Sequence, residues 1–216
     1  MPGRRRQKRT EASKIDATPP WETRVRVEPD ATTGPFDERD APDDEVERVD
    51  LGALQIPVGE GFDIQVELNE VQQVIAATLA GPQGTMQLGV FAAPRNEGIW
   101  DEVRAEIADS LRGQRRPVPS EKEGPFGTEL HGTVADDSGR GTVPVRFVGV
   151  DGPRWFLRAL FAGPVATDAD AAAPLEDALR GVVVVRGTEP LPVREPVPLQ
   201  LPSGVELPEP GSTPGT

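Results

Sequence analysis

The chain has 216 residues, 24 prolines, 23 glycines and a formal charge of −13. Such a field repels nucleic acid and anionic lipid from most of the surface. With no cysteine, disulfides, thiolate nucleophiles and cysteine-based metal sites are excluded. No apolar run reaches the length of a membrane span.

Residues 1–48 read as a disordered charged tail. Arg4, Arg5, Arg6, Lys8 and Arg9 form a basic block, and acidic residues dominate from Glu28 to Asp50. Few apolar side chains are present there to offset the entropy of ordering. The basic block is a candidate nucleic-acid tail. It lacks interleaved aromatics, and the acidic stretch competes for it, so a charged solvated terminus is the preferred reading. Polar residues follow it where a secretory signal would carry an apolar segment, so the expected location is cytoplasmic.

Residues 49–187 are expected to form one α+β domain, a mostly antiparallel sheet with two helices packed on it. Phe62, Ile64, Val66 and Leu68 alternate with polar residues, the period of a half-buried strand. Strands are expected from Gln73 to Leu79 and from Thr85 to Ala92, with a Pro-Gly loop between them. The first helix is predicted from an Asn96 cap, with Ile99, Val103, Ile107 and Leu111 inward and Gly113 as the stop. Arg115 to Pro125 reads as a polar connection, and Phe126 to Ala135 as a strand.

Thr142 to Gly163 is the strongest local signal, two apolar strands around Asp151-Gly152, which predicts a hairpin turn at that dipeptide. A second helix capped by Thr167 or Asp168 presents Ala172, Leu175, Ala178 and Leu179 inward and stops at Gly181. Val182 to Val185 predicts a short strand covered on both faces. Recurring prolines make residues 188–216 an extended or disordered tail, in which Val197, Leu199 and Leu201 can lie along the domain as a strip.

The chemical signals are few. His131, the single histidine, is a candidate general base beside Glu129 or Asp136. The alternative, and the preferred reading, is an ordinary strand histidine on a polar face. Asp136-Asp137-Ser138-Gly139 lacks the ligand spacing of a calcium loop and reads as a turn. Phosphate-loop motifs are missing, so neither a metal nor a cofactor is expected. Arg146, Arg154 and Arg158 are candidate anion-binding residues, with Arg154 and Arg158 on one face by strand alternation. Against this, arginines in so acidic a chain pair with carboxylates or cover apolar surface with their stems. Trp100 is a candidate partner surface if it is exposed at the helix start, and core otherwise.

LGALQIPV (51–58), FAAPRNEGIWDEVRAEI (91–107), GPFGTEL (124–130), VRFVGVDGPRWFLR (145–158) and VVVVRG (182–187) resemble segments of an actinobacterial family of unknown function, over about residues 45–202. The resemblance implies a cytoplasmic actinobacterial protein and supplies no activity. The order of elements is also similar to the Mog1/PsbP-like fold: entry through Pro57 to Phe62, a helix after the early strands, then a late tryptophan-bearing strand before a closing helix and strand. That likeness implies a binding or assembly factor. The leading expectation is a non-catalytic module with an unidentified protein partner. The alternatives are a nucleic-acid-associated protein and a small-anion or enzymatic site near Arg154 and Arg158.

Overall fold

The computed structural model describes residues 33–70, 73–113, 117–136 and 138–202. The basic block Arg4 to Arg9 lies outside the described residues. The chain folds as two sheets and two helices. A small sheet has the order β1-β11-β3-β2, from β1 (Phe36–Asp37), β2 (Arg48–Asp50), β3 (Leu54–Pro57) and β11 (Val183–Val184). A seven-stranded antiparallel sheet has the order β4-β5-β6-β10-β9-β8-β7. Its strands are β4 (Asp63–Leu68), β5 (Val74–Gly81), β6 (Gly84–Ala92), β7 (Ser120–Gly124), β8 (Gly127–Ala135), β9 (Thr142–Gly152) and β10 (Trp155–Ala162). Helix α1 (Trp100–Arg112) lies on β8 and β9, and α2 (Ala169–Arg180) follows a 3-10 turn at Pro164–Ala166. The α+β class and the two helices agree with the expectation. The pairing is antiparallel throughout except between β1 and β11, which run parallel.

Strand alternation divides the core. One face of the large sheet presents Leu79, Met86, Leu88, Val148, Trp155, Leu157 and Phe161 to the small sheet and to Leu175 and Leu179 of α2. The other presents Leu130, Val145, Phe147 and Phe156 to Trp100, Ala108 and Leu111 of α1. Burial of apolar area on both faces of one sheet is the main cohesive force.

Several boundaries differ from the expectation. Folding starts before Val49: Phe36 and Asp37, inside the stretch assigned to the charged tail, pair with Val183 and Val184. Asp37 is 7% exposed and accepts the Trp155 indole N–H at 2.8 Å. β7, with the sequence SEKEG, occupies the segment read as a connection. It is an edge strand exposed on both faces, so it carries no apolar alternation. The hairpin turns at Pro153-Arg154, because Gly152 pairs with Trp155. Asp151 therefore lies in β9, outside the turn, and has another task.

That task is capping α1. The helix starts at Trp100, four residues after Asn96, and its own cap residue, Ile99, offers no side-chain acceptor. Asp151 reaches across from β9, and its carboxylate accepts the N–H groups of Ile99 at 2.8 Å and Trp100 at 3.2 Å. A negative charge there also complements the helix dipole. The expected stripe faces the sheet: Ile99 and Leu111 are buried, Val103 and Ile107 pack against the same cluster, and Trp100 and Ala108 join it. Trp100 lies over Gly149, where an added Cβ would collide with the indole. In α2, Asp168 caps as expected, accepting from the N–H groups of Asp170 and Ala171.

Residues 194–200 pass between the diverging ends of β5 and β6. Val197 N–H bonds to Val90 O at 2.8 Å, Leu199 N–H to Val74 O at 3.2 Å and Gln200 N–H to Leu51 O at 2.8 Å. Val197 and Leu199 enter the main core, and Arg194 pairs with Glu102 and Glu106 of α1.

Candidate functional site

β8 carries Glu129 and His131 on one face, two residues apart, and β9 sets Arg146 directly opposite His131. α2 lays Glu176 over them. Arg146 Nη1 stands 2.8 Å from Glu176 Oε1 and 3.4 Å from Glu129 Oε2, and His131 Nε2 stands 3.5 Å from the same Glu129 oxygen. Arg180 extends the chain of charges to Glu176 and Asp177. The Arg146 guanidinium lies 4.1 Å above the Phe161 ring and that of Arg180 lies 5.3 Å above Phe126. Glu129, Arg146 and Glu176 are all buried. Glu129 Oε1 and Arg146 Nε and Nη2 have no hydrogen-bond partner.

The electrostatics favour neutral forms. Burial raises the Glu129 pKa, and the neighbouring Glu176 carboxylate adds to the rise against the opposing charge of Arg146. Burial lowers the His131 pKa, assisted by Lys122 and Arg146. His131 Nε2 and Arg146 Nη1 thus face the same Glu129 oxygen. The arrangement anchors α2 to the sheet. Asp136, the other carboxylate considered for His131, instead accepts from Ser138 Oγ at 2.8 Å and from Arg140 N–H, organising its own loop. Those hydrogen bonds, the Ser138 hydroxyl foremost, lower its pKa.

The three candidate arginines do not converge. Arg146 lies on the α2 face of the sheet. Arg158 pairs in register with Gly89 and Gly149 and emerges on the opposite face, over the Phe91 ring at 5.2 Å. Arg154 sits in the turn with φ 65°, outside strand alternation. Trp100 is 7% exposed, stacks on Phe156 and donates its indole N–H to Thr128 O at 2.7 Å. It is a core residue and presents no docking aromatic, because Gly149 opens a seat for it.

Two charged residues escaped the sequence reading. Glu176 lies four residues from Ala172 on the inward stripe of α2, and that spacing is a signal of burial. Arg186 directly continues the four buried valines, and a charge at the end of a doubly covered strand is a comparable signal.

Among the described residues, no three His, Asp or Glu gather as metal ligands, and no helix is long and apolar enough to cross a membrane. No curated protein matches the chain in sequence. A solved structure, that of LpqN, involved in cell envelope biogenesis of Mycobacterium tuberculosis, is similar at 14% identity, covering 70% of this chain and 99% of that chain with a TM-score of 0.30. The family model for DUF3710, proteins of unknown function, matches residues 34–207, from just ahead of β1 to beyond the docked strip, and the chain therefore belongs to the DUF3710 family.

Proposed function

We propose that this chain is an interaction or assembly module that works by binding and performs no covalent step. The partner surface is the outer face of β4, β5, β6 and β10, beside the area that α1 covers. Glu67 holds Thr78 Oγ1 at 2.8 Å and Gln87 Nε2 at 2.7 Å there. Side chains already held by such bonds lose little entropy when a partner docks.

The observation that carries this reading is Arg158. It is half-buried on that face and flanked in register by two glycines, and no described carboxylate makes a salt bridge to it. Burial alone pulls its pKa down. An arginine resting on an aromatic ring without its own counter-ion is suited to anchor a carboxylate at an interface. The partner is accordingly a protein segment bearing acidic side chains.

A photo-crosslinking residue at Gln65, on the open face, tests this in living cells, with Asp177 on α2 as the control position. A discrete protein adduct is expected from position 65 and its yield should fall at least fivefold with Arg158→Gln. An adduct insensitive to Arg158, or one equally strong from position 177, would overturn the reading.

A further inference from the structure

Arg186 leaves the end of β11 and is 7% exposed. Its Nε donates to the Arg154 carbonyl at 3.2 Å and its Nη1 to the Glu189 carbonyl at 3.1 Å. Both partners are neutral. The other buried arginine, Arg146, stands between two carboxylates. Among the described residues Arg186 has none in contact, and nor does Arg154. The charge of Arg154 is close enough to depress the Arg186 pKa, an effect second to burial, and the exposed Glu189 only partly offsets it. The buried carboxylate of Asp37 is committed to the Trp155 indole and to Arg39.

The Arg186 head group thus rests on the backbone of Arg154, and two cations on such neighbouring residues, one of them buried, cost free energy unless an anion offsets them. A chain with a net charge of −13 had ample means to supply a carboxylate.

The backbone adds an independent observation. Pro153-Arg154 closes the β9–β10 hairpin, with Gly152 paired to Trp155. Proline fixes its own φ near −65°, and the next residue of such a turn takes a positive φ, the place where glycine is favoured. Arg154 occupies it at φ 65°. An arginine kept in left-handed backbone, with its own carbonyl braced by a second arginine and by the Ala93 N–H at 3.0 Å, points to a role for its side chain.

We infer that Arg154 and Arg186 form an anion site for a phosphoryl group, at the end of the molecule where the β9–β10 turn meets the exit of β11. Two guanidinium forks match tetrahedral phosphate oxygens better than point charges do. The acceptor chemistry is shared by free phosphate and by small phosphate monoesters.

Calorimetric titration of the full chain tests the site, with inorganic phosphate, phenyl phosphate and sodium chloride at matched ionic strength. The wild type should bind phosphate or phenyl phosphate saturably and show no response to chloride. Tighter binding of phenyl phosphate assigns a monoester, and equal binding assigns free phosphate. Arg154→Gly suits the turn and should keep or raise the Tm while weakening phosphate binding at least fivefold; Arg154→Lys should recover part of it. Arg186→Gln should abolish binding, read by NMR amide shifts near residues 93 and 154 if its stability drops. Unchanged affinity in Arg154→Gly, or a wild-type response to chloride equal to that to phosphate, overturns the proposal.

Discussion

Replacing Arg146 with methionine removes the cation between Glu129 and Glu176 while keeping a comparable stem over Phe161. The wild-type guanidinium makes ion pairs of 2.8 and 3.4 Å. Removing one partner of a buried ion pair strands the other charges and typically costs about 3–5 kcal/mol. Part of the loss is offset because the Nε and Nη2 donors, unpartnered in the fold, no longer have to be desolvated. Methionine also retains a favourable sulfur contact with an aromatic ring. At roughly 2–4 °C per kcal/mol for a chain of this size, the Tm should fall by about 6–20 °C.

The pH dependence is the sharper part of the test. In the wild type, the raised Glu129 pKa means that its contribution to stability is full below the unfolded carboxylate value of 4.5 and is lost as pH rises through the folded value. Arg146 opposes that rise, so its removal steepens the loss. The deficit of Arg146→Met should be largest at neutral pH and shrink as the pH falls and Glu129 takes up its proton. Urea denaturation followed by tryptophan fluorescence at several pH values measures this, with the triple variant Arg146→Met, Glu129→Gln, Glu176→Gln recovering most of the stability. A deficit below about 1 kcal/mol at neutral pH, or a triple variant no more stable than the single one, would falsify the reading of the cluster as a charge-balanced anchor.

Asp151→Ala strips both acceptors from the start of α1 and should cost about 1–2 kcal/mol in thermal denaturation. Amide exchange should accelerate in the first turn of that helix, and unaltered exchange at residues 99–102 would count against the cap. A chain ending at residue 190 loses the buried Val197 and Leu199, at about 1.5–3 kcal/mol for each. Chemical denaturation should therefore show a drop of several kcal/mol, and a change within about 1 kcal/mol would show that the strip adds nothing. His131, its pKa lowered from 6.5 mainly by burial, makes the fold less stable as pH falls below that value, because the unfolded chain takes up the proton first. His131→Gln should flatten this slope between pH 6.5 and 5, and a parallel slope in the two proteins would refute the assignment.

Local patterns carried much of the fold. The alternation in β4, the apolar runs of β9 and β10, the Asp168 cap and the four valines around β11 each reflect a period or a cap that neighbouring residues dictate without help from elsewhere. The ion cluster was legible only in pieces. Glu129, His131 and Arg146 were visible as candidates, but their pairing depends on the β8–β9 register, and Glu176 arrives from a helix 47 residues beyond Glu129 in the chain. β7 was invisible because an edge strand exposed on both faces carries no hydrophobic signature.

By itself the sequence determined the class: an acidic, cysteine-free α+β chain with a mostly antiparallel sheet and two helices, because periodicity and caps act over a few residues. Only the tertiary structure decided that Asp151 caps a distant helix, that Trp100 is seated on Gly149, that Arg146 and Arg158 face opposite ways and that Arg186 stands beside Arg154. Each of those facts is a meeting of residues far apart along the chain. Such meetings are fixed by register and packing, which short-range preferences do not encode.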